Sequence, residues 1–152
     1  MRAKKQKYIF YRQREFVDCG LACLRMIARH YGKTYSVKFL NTLCPPGPKG
    51  ITLLALNRAA VALGFKTHAI EISSDALEKL PLPAIMLWNE RHYVVLYRML
   101  AQKAWVADPS RKLSCISRQE LENNWCPGKD KGVILLTESL DGFKKTEKLR
   151  LS

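Results

Sequence analysis

The apolar residues of this chain change period at Gly64, and that change limits what it can fold into more than any other feature. Ahead of it, Leu21, Leu24, Met26, Ile27 and Tyr31 recur at near-helical spacing behind Cys19, and Gly32 supplies a stop. Val37, Phe39, Leu40 and Leu43 repeat the pattern after a Ser36 cap, and Leu53, Leu56, Ala60 and Leu63 share one face of a third helix opened by Thr52. Between the last two lies residues 44–50, Cys-Pro-Pro-Gly-Pro-Lys-Gly, where adjacent prolines require a loop. Beyond Gly64 the pattern turns to short β-branched and aromatic runs at 65–72, 84–88, 93–97, 104–107 and 133–137, each bounded by turn residues. One helix interrupts them, since Ser117-Arg-Gln-Glu120 is a capping box followed by Leu121 and Trp125. Helices first and a mainly antiparallel sheet second predict an α+β fold, the helical half packed on the sheet.

With 152 residues, 47% of them hydrophobic, the chain can build one core without metal or disulfide staples. Its five cysteines are odd in number and irregularly spaced, which suits neither a disulfide framework nor a paired zinc site and points to a reducing, cytosolic compartment. No run reaches the ~18 apolar residues of a membrane-spanning helix, and the basic start has no apolar signal region behind it, so a soluble chain without a secretion signal is expected. The formal charge of +13 gathers at the ends, with six Lys/Arg and no acid in residues 1–14, and Lys144, Lys145, Lys148 and Arg150 near the other end. Such a balance suits an acidic partner, a nucleic acid or an anionic membrane face. Nucleic acid is the poorest of the three, because the basic residues are not interleaved with an aromatic platform. The expected domain covers residues 1–138, and 139–152 reads as a basic linker or tail.

The chemistry-bearing residues converge on Cys19. A cysteine attacks as thiolate, and the unpaired N–H groups and dipole of a helix N-terminus favour that anion. Gly20 beside it permits close approach of another backbone, and Gln13, six residues upstream, can donate an amide hydrogen bond to an oxyanion alongside the N–H of Cys19. His92 starts an expected strand and suits the role of base, while Asp108 ends the next one and can orient the imidazole. Antiparallel neighbours joined by a hairpin can bring these two strand ends side by side. Cys23, Cys44, Cys115 and Cys126 read as core or surface thiols, and His30 and His68 as helix-end and strand histidines.

Three stretches together carry a resemblance. Gln13-Arg-Glu-Phe-Val-Asp-Cys19-Gly-Leu-Ala-Cys-Leu-Arg-Met-Ile27 with His30-Tyr31-Gly32, then Arg91-His92-Tyr-Val-Val-Leu96, then Ala107-Asp108-Pro109, resemble the bacteriocin-processing peptidases that form the N-terminal domain of peptidase-containing ABC transporters. Glu15 stands where that family more often has aspartate. The resemblance implies a papain-like cysteine peptidase with Cys19 as nucleophile, His92 as general base and acid, Asp108 as orienter and Gln13 in the oxyanion hole. Gly20 and Tyr93 become the expected substrate contacts, and no metal or cofactor is implied. It further implies cleavage of a leader peptide after Gly-Gly, export of the cargo by transmembrane and ATP-binding partner domains, and a place on the cytoplasmic side of a bacterial inner membrane. Two glycines pass a slot that excludes side chains, while an amphipathic leader helix docks elsewhere. The competing reading is a module that recruits leaders without cutting them, a type that lacks the cysteine this chain keeps.

Overall fold

The computed structural model describes residues 8–13 and 18–139. The first seven residues of the basic start, Glu15 and the tail beyond Ser139 lie outside the described residues. Four helices, α1 (Cys19–His30), α2 (Val37–Leu43), α3 (Leu53–Ala62) and α4 (Arg118–Trp125), accompany six strands: β1 (Phe65–Ile72), β2 (Ala84–Trp88), β3 (His92–Leu100), β4 (Lys103–Ala107), β5 (Leu113–Ser117) and β6 (Gly132–Ser139). The caps form as the side chains dictate. Ser36, Thr52 and Ser117 accept from the N–H groups of Phe39, Ala55 and Glu120, each answering a donor that the first helical turn leaves open.

All strand pairings are antiparallel, in the order β1-β6-β2-β3-β4-β5. Period-two alternation along β3 divides the core. Tyr93, Val95 and Tyr97 join Leu21, Leu24, Met26 and Ile27 of α1, while Val94 and Leu96 join Met86, Trp88, Val106, Leu121 and Trp125. Expecting the helical half on the sheet is therefore right for one face. The other face is covered by α4 and by a 3-10 turn at Ser74–Lys79 that the sequence pattern does not announce. Truncating any one of the fully buried α1 residues Leu21, Leu24 or Ile27 to alanine would cost about 2–5 kcal/mol.

Strand β5 was likewise not expected, and β6 runs through Ser139, the first residue assigned to the tail. Among the described residues no helix is long and apolar enough to cross a membrane. Ahead of α1, residues 8–13 lie against the body as a strap. Tyr8 stacks on Tyr97 at 4.9 Å, the Tyr97 hydroxyl donates to the Ile9 carbonyl, and the Arg25 guanidinium sits 3.9 Å from the centre of the Tyr11 ring.

Candidate active site

Cys19 is the first residue of α1, 6% exposed, where helix N–H groups have no partners within the helix. A tight turn delivers His92 to the start of β3: Trp88 pairs with His92, and Asn89 and Glu90 between them take left-handed φ values of 50° and 63°. Because Ala107 of β4 pairs with Val95, Asp108 emerges next to the beginning of β3. His92 Nε2 meets Asp108 Oδ1 at 2.7 Å.

Burial works against charge on the His92 ring, but hydrogen bonds to Asp108 and to Cys19, and attraction to both, outweigh it and raise the pKa from 6.5 to about 9. Asp108 is balanced the same way. Burial favours its neutral form, yet donation from His92 and from both the hydroxyl and N–H of Ser110 holds its carboxyl below the usual range. Ser110 Oγ donates to Asp108 Oδ1 at 2.7 Å, and Ser110 N–H donates to the same oxygen at 2.9 Å.

The structure thus brings Cys19, His92 and Asp108 together, and it ties Gln13 to them through the backbone. Gln13 N–H donates to the Pro109 carbonyl at 2.9 Å, and Arg12 Nη2 donates to the Arg111 carbonyl at 2.8 Å. Gly20 and Tyr93, the expected substrate contacts, are both buried. A Cβ on Gly20 would make ordinary van der Waals contact with the Tyr93 ring at 3.4 Å and Leu56 at 3.6 Å, so packing between α1, α3 and β3 does not by itself demand glycine there. Tyr93 is 5% exposed, its hydroxyl donates to the Ile51 carbonyl at 2.9 Å, and burial pushes its pKa up to about 12. The Tyr93 side chain therefore offers little surface to a peptide.

Sequence reasoning missed Ser110 and Arg12. The first has a local signal, since an aspartate with serine two places on is an Asx-type turn whose donors point back at the carboxylate. Arg12 has none, because its acceptor lies 99 residues away. Cys23, Cys44 and Cys126 are buried free thiols and Cys115 an exposed one, His68 is exposed on β1, and His30 packs edge-on against Tyr31.

An imidazole held cationic against a thiol at a helix start is the working arrangement of thiol hydrolases, and helices laid on an antiparallel sheet give it a papain-like frame. The chain belongs to the Peptidase C39 family, a family of cysteine peptidases, whose sequence profile matches residues 7–140. It is 37% identical over 109 residues to the colicin V secretion/processing ATP-binding protein CvaB of Escherichia coli, covering 72% of this chain and 16% of that one. To the lactococcin-G-processing and transport ATP-binding protein LagD of Lactococcus lactis it is 30% identical over 144 residues, 91% of this chain and 20% of that one. The chain therefore spans about a sixth to a fifth of the length of these relatives. Among solved structures it is similar to the peptidase domain of Streptococcus ComA, a bi-functional ABC transporter involved in quorum sensing, with TM-score 0.78, 27% identity, and coverage of 88% of this chain and 99% of that one. The double glycine motif protease of an AMS/PCAT transporter, solved in complex with its leader peptide, gives TM-score 0.80, 25% identity, and coverage of 88% and 92%.

Proposed function

We propose that this chain is the leader-cleaving domain of an exporter, a cysteine endopeptidase that cuts a precursor after Gly-Gly. The observation that carries the reading is the 2.7 Å hydrogen bond between His92 and Asp108, with Cys19 near enough to help raise the imidazole pKa to about 9. With Nε2 held by the carboxylate, Nδ1 is the ring nitrogen left for Cys19. The thiolate attacks the carbonyl carbon of the second glycine, and charge collects on the carbonyl oxygen, where the Cys19 N–H and the Gln13 amide donate. The His92 imidazolium passes its proton to the cargo nitrogen as the C–N bond breaks, leaving a thioester on Cys19. Water then gives a proton to His92, its oxygen attacks the thioester carbonyl, and the leader acid and the thiolate–imidazolium pair are released.

Asp108 fixes the ring and offsets its charge without taking the proton. Relatives concerned with secretion and processing of colicin V and lactococcin G, and the leader-bound PCAT protease, support leader peptides as substrates. The same likeness supports transmembrane and ATP-binding partner domains, with residues 1–138 as peptidase, 139–152 as a link toward them, and residence at the cytoplasmic face of the membrane. The chemistry needs no metal or cofactor in this domain. Incubation with a synthetic leader ending in Gly-Gly plus a short cargo, followed by mass spectrometry, tests the reading. A cut after the second glycine, absent in Cys19→Ala, is expected; an uncut leader that still binds would return the recruiting module.

A further inference from the structure

Directly behind the His92–Asp108 pair lies a cavity of about 220 Å³ lined by Trp88, Val106, Asp108, Ser114, Ile116 and the side chains of Arg111, Lys112 and Glu120 at its mouth. Trp88 and Val106 are 8% and 1% exposed, Ser114 and Ile116 are half-buried, and Arg111, Lys112 and Glu120 are exposed. An apolar floor of Trp88, Val106 and Ile116, with Arg111 and Lys112 offset by Asp108 and Glu120 around it, suits an uncharged, apolar side chain. Trp88, one of its walls, has a buried indole N–H for which no acceptor is found among the described residues.

The chemistry sets which end of a substrate comes here. His92 must reach the departing nitrogen to protonate it, so the cargo leaves on the His92 side of Cys19 and the leader occupies the other. Asp108 holds the far side of that imidazole at 2.7 Å and is itself a wall of the cavity. The cavity lies on the α4 side of the sheet, so a cargo leaving Cys19 reaches it around the sheet end past His92 and Asp108, a path of at least about two to three extended residues at roughly 3.4 Å each.

We infer that this cavity is a cargo-side subsite that takes an apolar side chain at the second or third residue after the cut, making the domain selective for the product it releases as well as for the leader. The assignment rests on the peptidase reading, and its test separates the two. Two substrates share one leader ending in Gly-Gly: in one the leaving group is aminomethylcoumarin, and in the other a six-residue cargo carrying Leu, Gly or Asp at its second and third positions. Each is turned over by the unaltered chain, by Ser114→Phe, which fills the cavity, and by Ile116→Thr, which strips its apolar lining. Leucine should raise kcat/KM about tenfold over glycine or aspartate in the unaltered chain. Both variants should flatten that preference while hydrolysing the coumarin amide within about twofold of the unaltered rate, which also reports that they are folded. A flat cargo profile with good coumarin turnover, or a leucine preference that survives both variants, would overturn the subsite alone. No turnover of either substrate by the unaltered chain would overturn the peptidase reading and this one with it.

Discussion

The backbone N–H of Gln13 is hydrogen-bonded to the carbonyl of Pro109, so the segment carrying the amide proposed for the oxyanion is fixed to the residue that follows Asp108. The Arg12 guanidinium strengthens the tie through the Arg111 carbonyl. Substituting Gln13 by alanine leaves that backbone bond in place and removes just the amide. Gln13→Ala should lower kcat by about 10²–10³, while the rate at which iodoacetamide alkylates Cys19 stays unchanged. A matching fall in alkylation would mean that Gln13 acts on the nucleophile and not on the oxyanion.

The pH profile follows from His92. The attacking pair needs its imidazolium, and a group whose pKa stands at about 9 holds its proton below that pH and loses it above. Activity should therefore persist through neutrality and decline as pH rises past about 9. Asp108→Asn removes the carboxylate that supports the charge, so the alkaline limb should move down toward 6.5, with kcat/KM reduced by about two to four orders of magnitude. Rate measurements on both chains across pH 5–10 decide it, and an unmoved limb would contradict the role given to Asp108.

Tyr93 provides a contrast, because its hydroxyl holds the Ile51 carbonyl at the entry to α3 and faces away from substrate. Tyr93→Phe should cost about 1 kcal/mol and lower the thermal midpoint by about 2–4 °C. Cleavage within twofold of the unaltered rate is expected; a large rise in KM would restore Tyr93 as a substrate contact.

At Gly132 a Cβ would fall 2.4 Å from the Trp125 ring, which cannot easily retreat because its indole N–H is bonded to the Val133 carbonyl at 2.8 Å. Gly132→Ala should destabilise the fold by about 1–3 kcal/mol, read as a lowered denaturation midpoint. Ser139→Ala, at the other end of β6, serves as the comparison and should shift it less.

What could be read from the residues was local. Ser36, Thr52 and Ser117 announce helices because a cap needs nothing beyond its own first turn. Leu113–Ser117 gave no such notice, since it is a half-exposed edge strand held by its backbone pairing with β4 rather than by an apolar run. Cys19, His92 and Asp108 could be picked out through their motifs, and strand pairing brings His92 to Asp108. Neighbours in sequence of a reactive residue need not face the same side, and in β3 the alternation sends Tyr93 into the helical core.

The position of β6 between β1 and β2 bears on how this domain comes into being during synthesis. A nascent chain that has emerged as far as α4 holds β2 through β5 as a meander, but β1 has no neighbour and the edge of β2 lies open. Folding cannot close until the ribosome has released the strand ending at Ser139, because pairings such as Phe65 with Ser139 join residues 74 apart. A peptidase assembled in this order stays inert until Ser139 has been made, and exposed strand edges in that interval are what a chaperone would have to cover.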